Sequence, residues 1–181
     1  MNTWQRLVQR DKAMHQAVKK AFSRVCGLSR KNPEPVRAAL DEELLWKLGI
    51  KPGQKVCLFH APKSILPLFL GGNLKLTMDW AESDSDVILF WLRPQDDVTS
   101  IMVGLEKMIK KSGRIWLVIP KKDIAKQQGF KQGWDEIQQA VLDATSLVDN
   151  KTLSIGEGEY GTQFVFRKTA REEAKAEAEE S

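Results

Sequence analysis

The sequence predicts an α/β fold with a doubly wound, mostly parallel sheet and a C-terminal antiparallel hairpin. Short apolar runs at residues 55–60, 74–79, 86–93 and 114–120 have turn residues around them, as strands covered on both faces do. Helical patterns separate several of these runs, which indicates parallel strands joined by crossovers. The run "LVDNKTLSIGEGEYGTQFVFRK" then places two strands around a glycine-rich turn, the pattern of a hairpin.

The first helix of this domain is predicted in "PVRAALDEELLWKLGI", where Gly49 marks its end. Its inward side would consist of Val36, Leu40, Leu44 or Leu45, and Leu48, and Trp46 is also assigned to the core. The segment "SILPLFL" is a weaker helix, because Pro67 interrupts it.

Two further helices are better marked. In "QDDVTSIMVGLEKMIKKSG", Asp96 and Asp97 serve as first-turn acids, lysines stand at the end, and Gly113 is the stop. The last helix is predicted in "GWDEIQQAVLDATSL".

Charge divides the chain into an arm at residues 1–32, a domain at 33–168 and an acidic low-complexity tail at 169–181. Residues 1–40 hold nine Lys or Arg against two acids, a charge of +7. Apolar residues from Trp4 to Val25 recur at steps of three and four, which predicts an amphipathic helix over about residues 3–26. This arm would pack on the domain, on a second copy or on another protein; alternatively, its basic face would bind RNA or DNA.

Composition suggests a cytoplasmic protein without a membrane span. No stretch approaches the roughly 20 apolar residues of a membrane helix, and "MNTWQRLVQRDKAMHQ" lacks the apolar block of a secretion signal. Cys26 and Cys57 lie in apolar surroundings, as small core residues in a reducing compartment do, and form no disulfide or metal pattern.

Two stretches carry a family resemblance. "LGIKPGQKVCLFHAP" and "GRIWLVIPKK" resemble a bacterial family of short methyltransferase-like proteins known as a domain of unknown function. Residues 36–168 as a whole look like a reduced class I methyltransferase, a Rossmann-like fold. The resemblance implies this fold and says little about activity.

The cofactor loop of that fold is missing from the sequence. An S-adenosylmethionine site generally needs a glycine-rich turn after the first strand and an acid at the end of the second. Asp79 supplies the acid, but "HAPKS" at 60–64 contains no glycine, and Pro62 has no amide hydrogen to offer. We therefore expect no cofactor, and a binding or regulatory module in preference to a methyltransferase.

Polar side chains follow the predicted strands at the edge where open α/β sheets bind ligands. They are His60, Lys63, Ser64, Asp79, Arg93, Lys121 and Lys122. The cations among them predict a site for an anionic small molecule or a polyanion, with Arg93 as a bidentate donor. An enzyme acting on an anionic small molecule is the alternative, and lysines that only solubilise the loops are a third reading.

The sequence lacks the residue patterns of a metal site and of a hydrolytic triad. Cys57 and His60 are three residues apart in a strand and would point to opposite faces, so no metal site is expected. The sequence has two histidines, His15 and His60, and no nucleophile elbow, which excludes a hydrolytic triad. Trp4 or Trp80 could stack on a nucleic-acid base.

Overall fold

A computed structural model describes residues 43–70, 73–156 and 158–169. The predicted arm, Cys26, the start of the first helix and most of the acidic tail therefore lie outside the described residues. Within these ranges, no helix combines the length and the apolar character needed to span a membrane.

Within the described part of the chain, six strands form one sheet. They are β1 (Lys55–Phe59), β2 (Lys75–Thr77), β3 (Ser85–Trp91), β4 (Ile109–Pro120), β5 (Leu147–Ser154) and β6 (Glu159–Phe166). The strand order is β2-β1-β3-β4-β6-β5. Strands β1 to β4 pair in parallel, and β6 pairs antiparallel with both β4 and β5. The predicted fold class, with its hairpin at one edge, is confirmed.

Helices cover both faces of this sheet. They are α1 (residues 43–48), α2 (Leu66–Leu70), α3 (Val98–Met108), α4 (Lys122–Gln127) and α5 (Trp134–Ala144). Side chains alternate between the faces, so that Ile88 and Phe90 pack with α3 and α5, whereas Val87 and Leu89 pack with α1 and α2. β1, β3 and the second half of β4 are buried on both sides, as their unbroken apolar runs predict, whereas the edge strand β2 has no fully buried residue.

The end of α1 is well determined by its sequence. Gly49 adopts φ +72°, its N–H donates to the carbonyl of Trp46, and the N–H of Ile50 donates to the carbonyl of Leu45. This pair of bonds is a Schellman motif, which confirms Gly49 as the stop. Leu48 is buried as predicted, but Trp46 is 78% exposed. The prediction that Trp46 is a core residue was wrong, because Leu44, Leu45 and Leu48 form the side of the helix that packs on the sheet.

Other element boundaries differ from the prediction. Pro67 does not interrupt α2 but lies in its first turn, where the missing N–H costs nothing. α3 ends at Met108, and β4 begins at once with Ile109, so Lys110 and Lys111 are strand residues. Gly113 is therefore not a helix stop: a Cβ there would lie 2.9 Å from the carbonyl oxygen of Asp86. α4 was not predicted, because "KDIAKQ" has no apolar stripe.

Candidate functional site

The turn after β1 is closed by the side chain of its own first residue. His60 has φ +58°, a left-handed conformation that glycine adopts easily and other residues rarely do. Its ring is only 2% exposed and packs 4.8 Å from the Phe90 ring centroid. His60 Nδ1 lies 3.2 Å from the carbonyl oxygen of Trp91. Because a carbonyl only accepts, Nδ1 carries the proton.

Asp96 connects this turn to the loop after β3. Its Oδ2 lies 3.6 Å from His60 Nδ1 and accepts the backbone N–H of Arg93 at 2.8 Å. The Asp96 side chain is 5% exposed. The prediction that Asp96 is a first-turn helix acid was wrong. Asp97 is the helix N-cap, accepting from the N–H and the hydroxyl of Ser100.

His60 lies on the sheet face opposite to the one predicted. Strand alternation would separate it from Cys57, but the left-handed turn carries its ring onto Phe90, on the Cys57 side. Cys57 is buried and 3.0 Å from the Ser85 hydroxyl, and burial raises the pKa of its thiol to about 11. Such a thiol is not a nucleophile at neutral pH. The described residues hold no cluster of three or more metal-ligating side chains.

An aromatic stack fills the neighbouring end of β2. Trp80 is 8% exposed, and its ring centroid lies 4.1 Å from that of Phe59 in a stacked arrangement. Phe90 meets Trp80 edge-on at 5.8 Å. Trp80 is therefore a core residue, and its indole is not presented to a base from solvent.

The other predicted site residues line the same edge but stay more open. Lys63, Ser64, Asp79, Lys121 and Lys122 are exposed, and Arg93 is half-buried. Asp79 Oδ1 accepts the N–H of Ala81 at 2.9 Å. The strand order places Arg93 between the β1 and β4 ends. The edge is suited chemically to holding an anion, and its use by a ligand stays a prediction.

Two contacts at this edge were missed. Asp96 follows "RPQ", a turn sequence in which an aspartate can accept an N–H three residues back, so the signal was present. Trp91 Nε1 donates to Glu159 Oε2 at 3.0 Å across the intervening β4. That contact depends on strand order and has no local signal.

The strand order, which reverses between β1 and β3, and the antiparallel hairpin at one edge define a Rossmann-like fold of the methyltransferase type. A putative type 11 methyltransferase from Sulfolobus solfataricus superposes with a TM-score of 0.51 at 13% identity, covering 71% of this chain and 92% of that chain. A chain from a complex between the Haloferax volcanii Trm112 methyltransferase activator and the putative methyltransferase gives a TM-score of 0.50 at 10% identity. It covers 68% of this chain and 87% of that chain.

Residues 70–168 match the family described as Protein of unknown function (DUF3052). The matched region is more than half of the chain, so the protein belongs to this family. No curated protein matches the chain.

Proposed function

We propose that this domain is a binding or regulatory module on a methyltransferase-like fold, and that it does not use S-adenosylmethionine. The observation that carries the proposal is the closed turn after β1. His60 keeps the left-handed backbone that a glycine-rich cofactor turn would have, but its imidazole fills the space that glycine would leave open.

The closure is held from two sides. Nδ1 of His60 is engaged by the Trp91 carbonyl and faces Asp96, and Trp80 stacks on Phe59 at the adjacent strand end. A nucleoside entering this edge would have to displace a buried imidazole and an indole together. Either displacement exposes apolar surface, and displacing the imidazole also takes its hydrogen bond from the Trp91 carbonyl, so both oppose binding.

An anionic ligand fits what remains exposed. Lys63, Lys121 and Lys122 are exposed on loops after β1 and β4, and the backbone N–H of Arg93 is fixed by Asp96. Fixing the backbone reduces the entropy that Arg93 would lose on binding. The same cations would hold an anionic substrate if the domain were an enzyme, which is the alternative we retain.

We also propose that the protein is cytoplasmic and that its N-terminal arm, residues 1–32, contacts a protein partner or a second copy. The regular apolar stripe of the arm supports a docking role. The Haloferax volcanii putative methyltransferase is found in a complex with an activator protein, which is a precedent for a partner on this fold. Nucleic-acid binding by the basic arm is the alternative.

Calorimetric titration of the full chain with S-adenosylmethionine tests the main proposal. We expect no heat of binding up to about 1 mM, a concentration at which even an affinity of about −4 kcal/mol would register. The His60→Gly variant is the matched probe, because it keeps the turn conformation and removes the ring. Micromolar binding by the wild-type chain would refute the proposal.

Thermal melting in phosphate, sulfate and a nucleotide tests the anion site separately. A ligand that binds the folded state raises Tm by mass action, and Arg93→Ala should remove that rise. Lys126→Ala is the control, since Lys126 is an exposed cation on α4 that is not one of the predicted site residues. Equal Tm shifts in both variants would mean that the anions act nonspecifically.

A further inference from the structure

The amino edge of the sheet, opposite the candidate site, carries a second group of cations. We call it the amino-edge patch; its members are Lys107, Lys110, Lys111, Arg167 and Lys168. All five side chains are exposed. They come from the end of α3, the start of β4 and the residues after β6, so they are brought together by the fold.

The pairing of β4 explains why they meet. Ser85 pairs with Ile109 and Val87 with Arg114, so the four residues 110–113 lie opposite Asp86 alone and must protrude from the sheet. β6 runs antiparallel beside β4, with Phe164 opposite Ile115, and its end therefore reaches this protrusion. Lys111 Nζ lies 4.0 Å from the centroid of the Phe166 ring, directly before Arg167.

Two of the acids near the patch are already engaged. Asp86 Oδ1 pairs with Lys110 Nζ at 2.7 Å, and Glu106 accepts the backbone N–H of Ser146 at 2.9 Å. Among the described residues, Lys107, Lys111 and Arg167 are in no salt bridge. The patch thus keeps a surplus of positive charge facing solvent.

We propose that this patch binds the chain's own acidic tail, residues 171–181. The tail holds five glutamates, which are Glu172, Glu173, Glu177, Glu179 and Glu180, against two bases. It starts three residues after Lys168, a member of the patch, so a short tether gives it a millimolar effective concentration there. The tail has no apolar face, and its charge is therefore what it can offer a partner.

The contact would have a consequence for other ligands. A polyanion arriving from solution would have to displace the tail before it reached Lys107, Lys111 and Arg167. The proposal therefore predicts a competition between the tail and an external polyanion that weakens as salt increases, independently of the anion site that we propose at the opposite edge.

Carbodiimide cross-linking of the full chain, read by mass spectrometry, tests the contact directly. In about 10 mM salt, where the Debye length is roughly 30 Å, we expect links from the tail glutamates to Lys107, Lys110 and Lys111. Lys122 and Lys126, exposed at the other end of β4, are the internal controls and should stay unlinked. Links that are absent, or that form equally to Lys122 and Lys126, overturn the proposal.

Two further measurements distinguish the tail from the other possible ligands of the patch, which are a second copy of the chain and an external polyanion. In a mixture of isotopically heavy and light protein, links within one chain support the proposal, whereas predominantly heavy–light links would assign the patch to a second copy and overturn it. The second measurement is the affinity for a single-stranded RNA of mixed sequence, used as a polyanion probe. Changing the five tail glutamates to glutamine should increase the affinity for this RNA at least about fivefold, because the tail would no longer compete for the patch.

The double variant Lys107→Glu, Lys111→Glu is the matched control for that measurement and should cancel the gain. An RNA affinity that depends on the two lysines but not on the tail would show that the patch serves an external polyanion, and the proposal would fall.

Discussion

Gly49 combines two demands that no other residue type meets at once. Its φ of +72° ends α1, and a Cβ on it would lie 2.0 Å from Nη1 of Arg114. We expect Gly49→Ala to lower the free energy of unfolding by about 1–2 kcal/mol for the left-handed backbone, and further because the guanidinium must move. Urea unfolding measures the loss.

Gly53→Ala is the matched control. Gly53 also has a positive φ, +82°, but nothing lies within 4 Å of its added Cβ, so it reports the backbone cost alone. The difference between the two variants is the cost of moving Arg114. If Gly53→Ala cost as much as Gly49→Ala, Arg114 would be shown to swing away freely.

Asp86 makes stability depend on pH. Burial raises the pKa of its carboxyl, but hydrogen bonds from Lys110 and from the backbone of Lys55 lower it more, so the pKa falls below the ordinary 3.8. A carboxyl with a depressed folded pKa stabilises the protein above the unfolded pKa, and this contribution disappears as pH falls through the folded pKa.

We therefore expect Asp86→Asn to cost about 1 kcal/mol at pH 7, because solvent screens the pair with the exposed Lys110, and much less near pH 2. Urea unfolding of both proteins at the two pH values measures the change. Asp143→Asn is the control, because Asp143 accepts only from the exposed side chain of Gln139 among the described residues. If Asp86→Asn lowered the free energy of unfolding equally at both pH values, the loss would come from changed side-chain packing and not from the charge of the carboxylate.

At the scale of elements, one indole joins α1 to the sheet. Trp116 is fully buried, and its Nε1 donates to the carbonyl oxygen of Leu48 at 3.0 Å, one of the carbonyls that a helix end leaves without a partner. Trp116→Phe should cost about 1–3 kcal/mol for this buried acceptor, in addition to the lost volume.

Trp91→Phe removes a similar volume and a bond to Glu159 that is only partly buried. Because water can replace that bond, Trp91→Phe should lower the free energy of unfolding less than Trp116→Phe does. The difference between the two variants in urea unfolding measures the hydrogen bond to Leu48. Equal losses would indicate that the volume of the ring dominates at both positions.

Strand identity could be predicted from the sequence, whereas several element ends and the closed edge could not. The apolar runs of β1, β3 and β4 are buried on both faces, and that apolar character is a local property of the sequence; the run at 74–79 forms an edge strand that is only partly buried. Gly113 resembles a helix stop, yet its small size is required by Ile109 and by the backbone of Asp86, which are tertiary neighbours. The left-handed turn of His60 depends on Trp91 and Asp96, more than 30 residues away, so alternation within β1 placed its side chain on the wrong face.

At the scale of the whole molecule, the strand order predicts how stability is distributed. β3 and β4 each pair on both sides, whereas β2 has three residues and pairs only with β1. In hydrogen exchange of the native chain, the amides of Val87–Phe90 and Ile115–Val118 should open only on global unfolding. They should exchange about a hundredfold or more slowly than those of Lys75–Thr77, which open locally. β5 forms the other edge of the sheet and is interrupted by a bulge at Asp149–Lys151. Its amides should therefore exchange at a rate between those of β2 and those of β3 and β4. If the β2 amides were as protected as those of β3, a second chain would have to pair with that edge, and the protection would then fall on dilution.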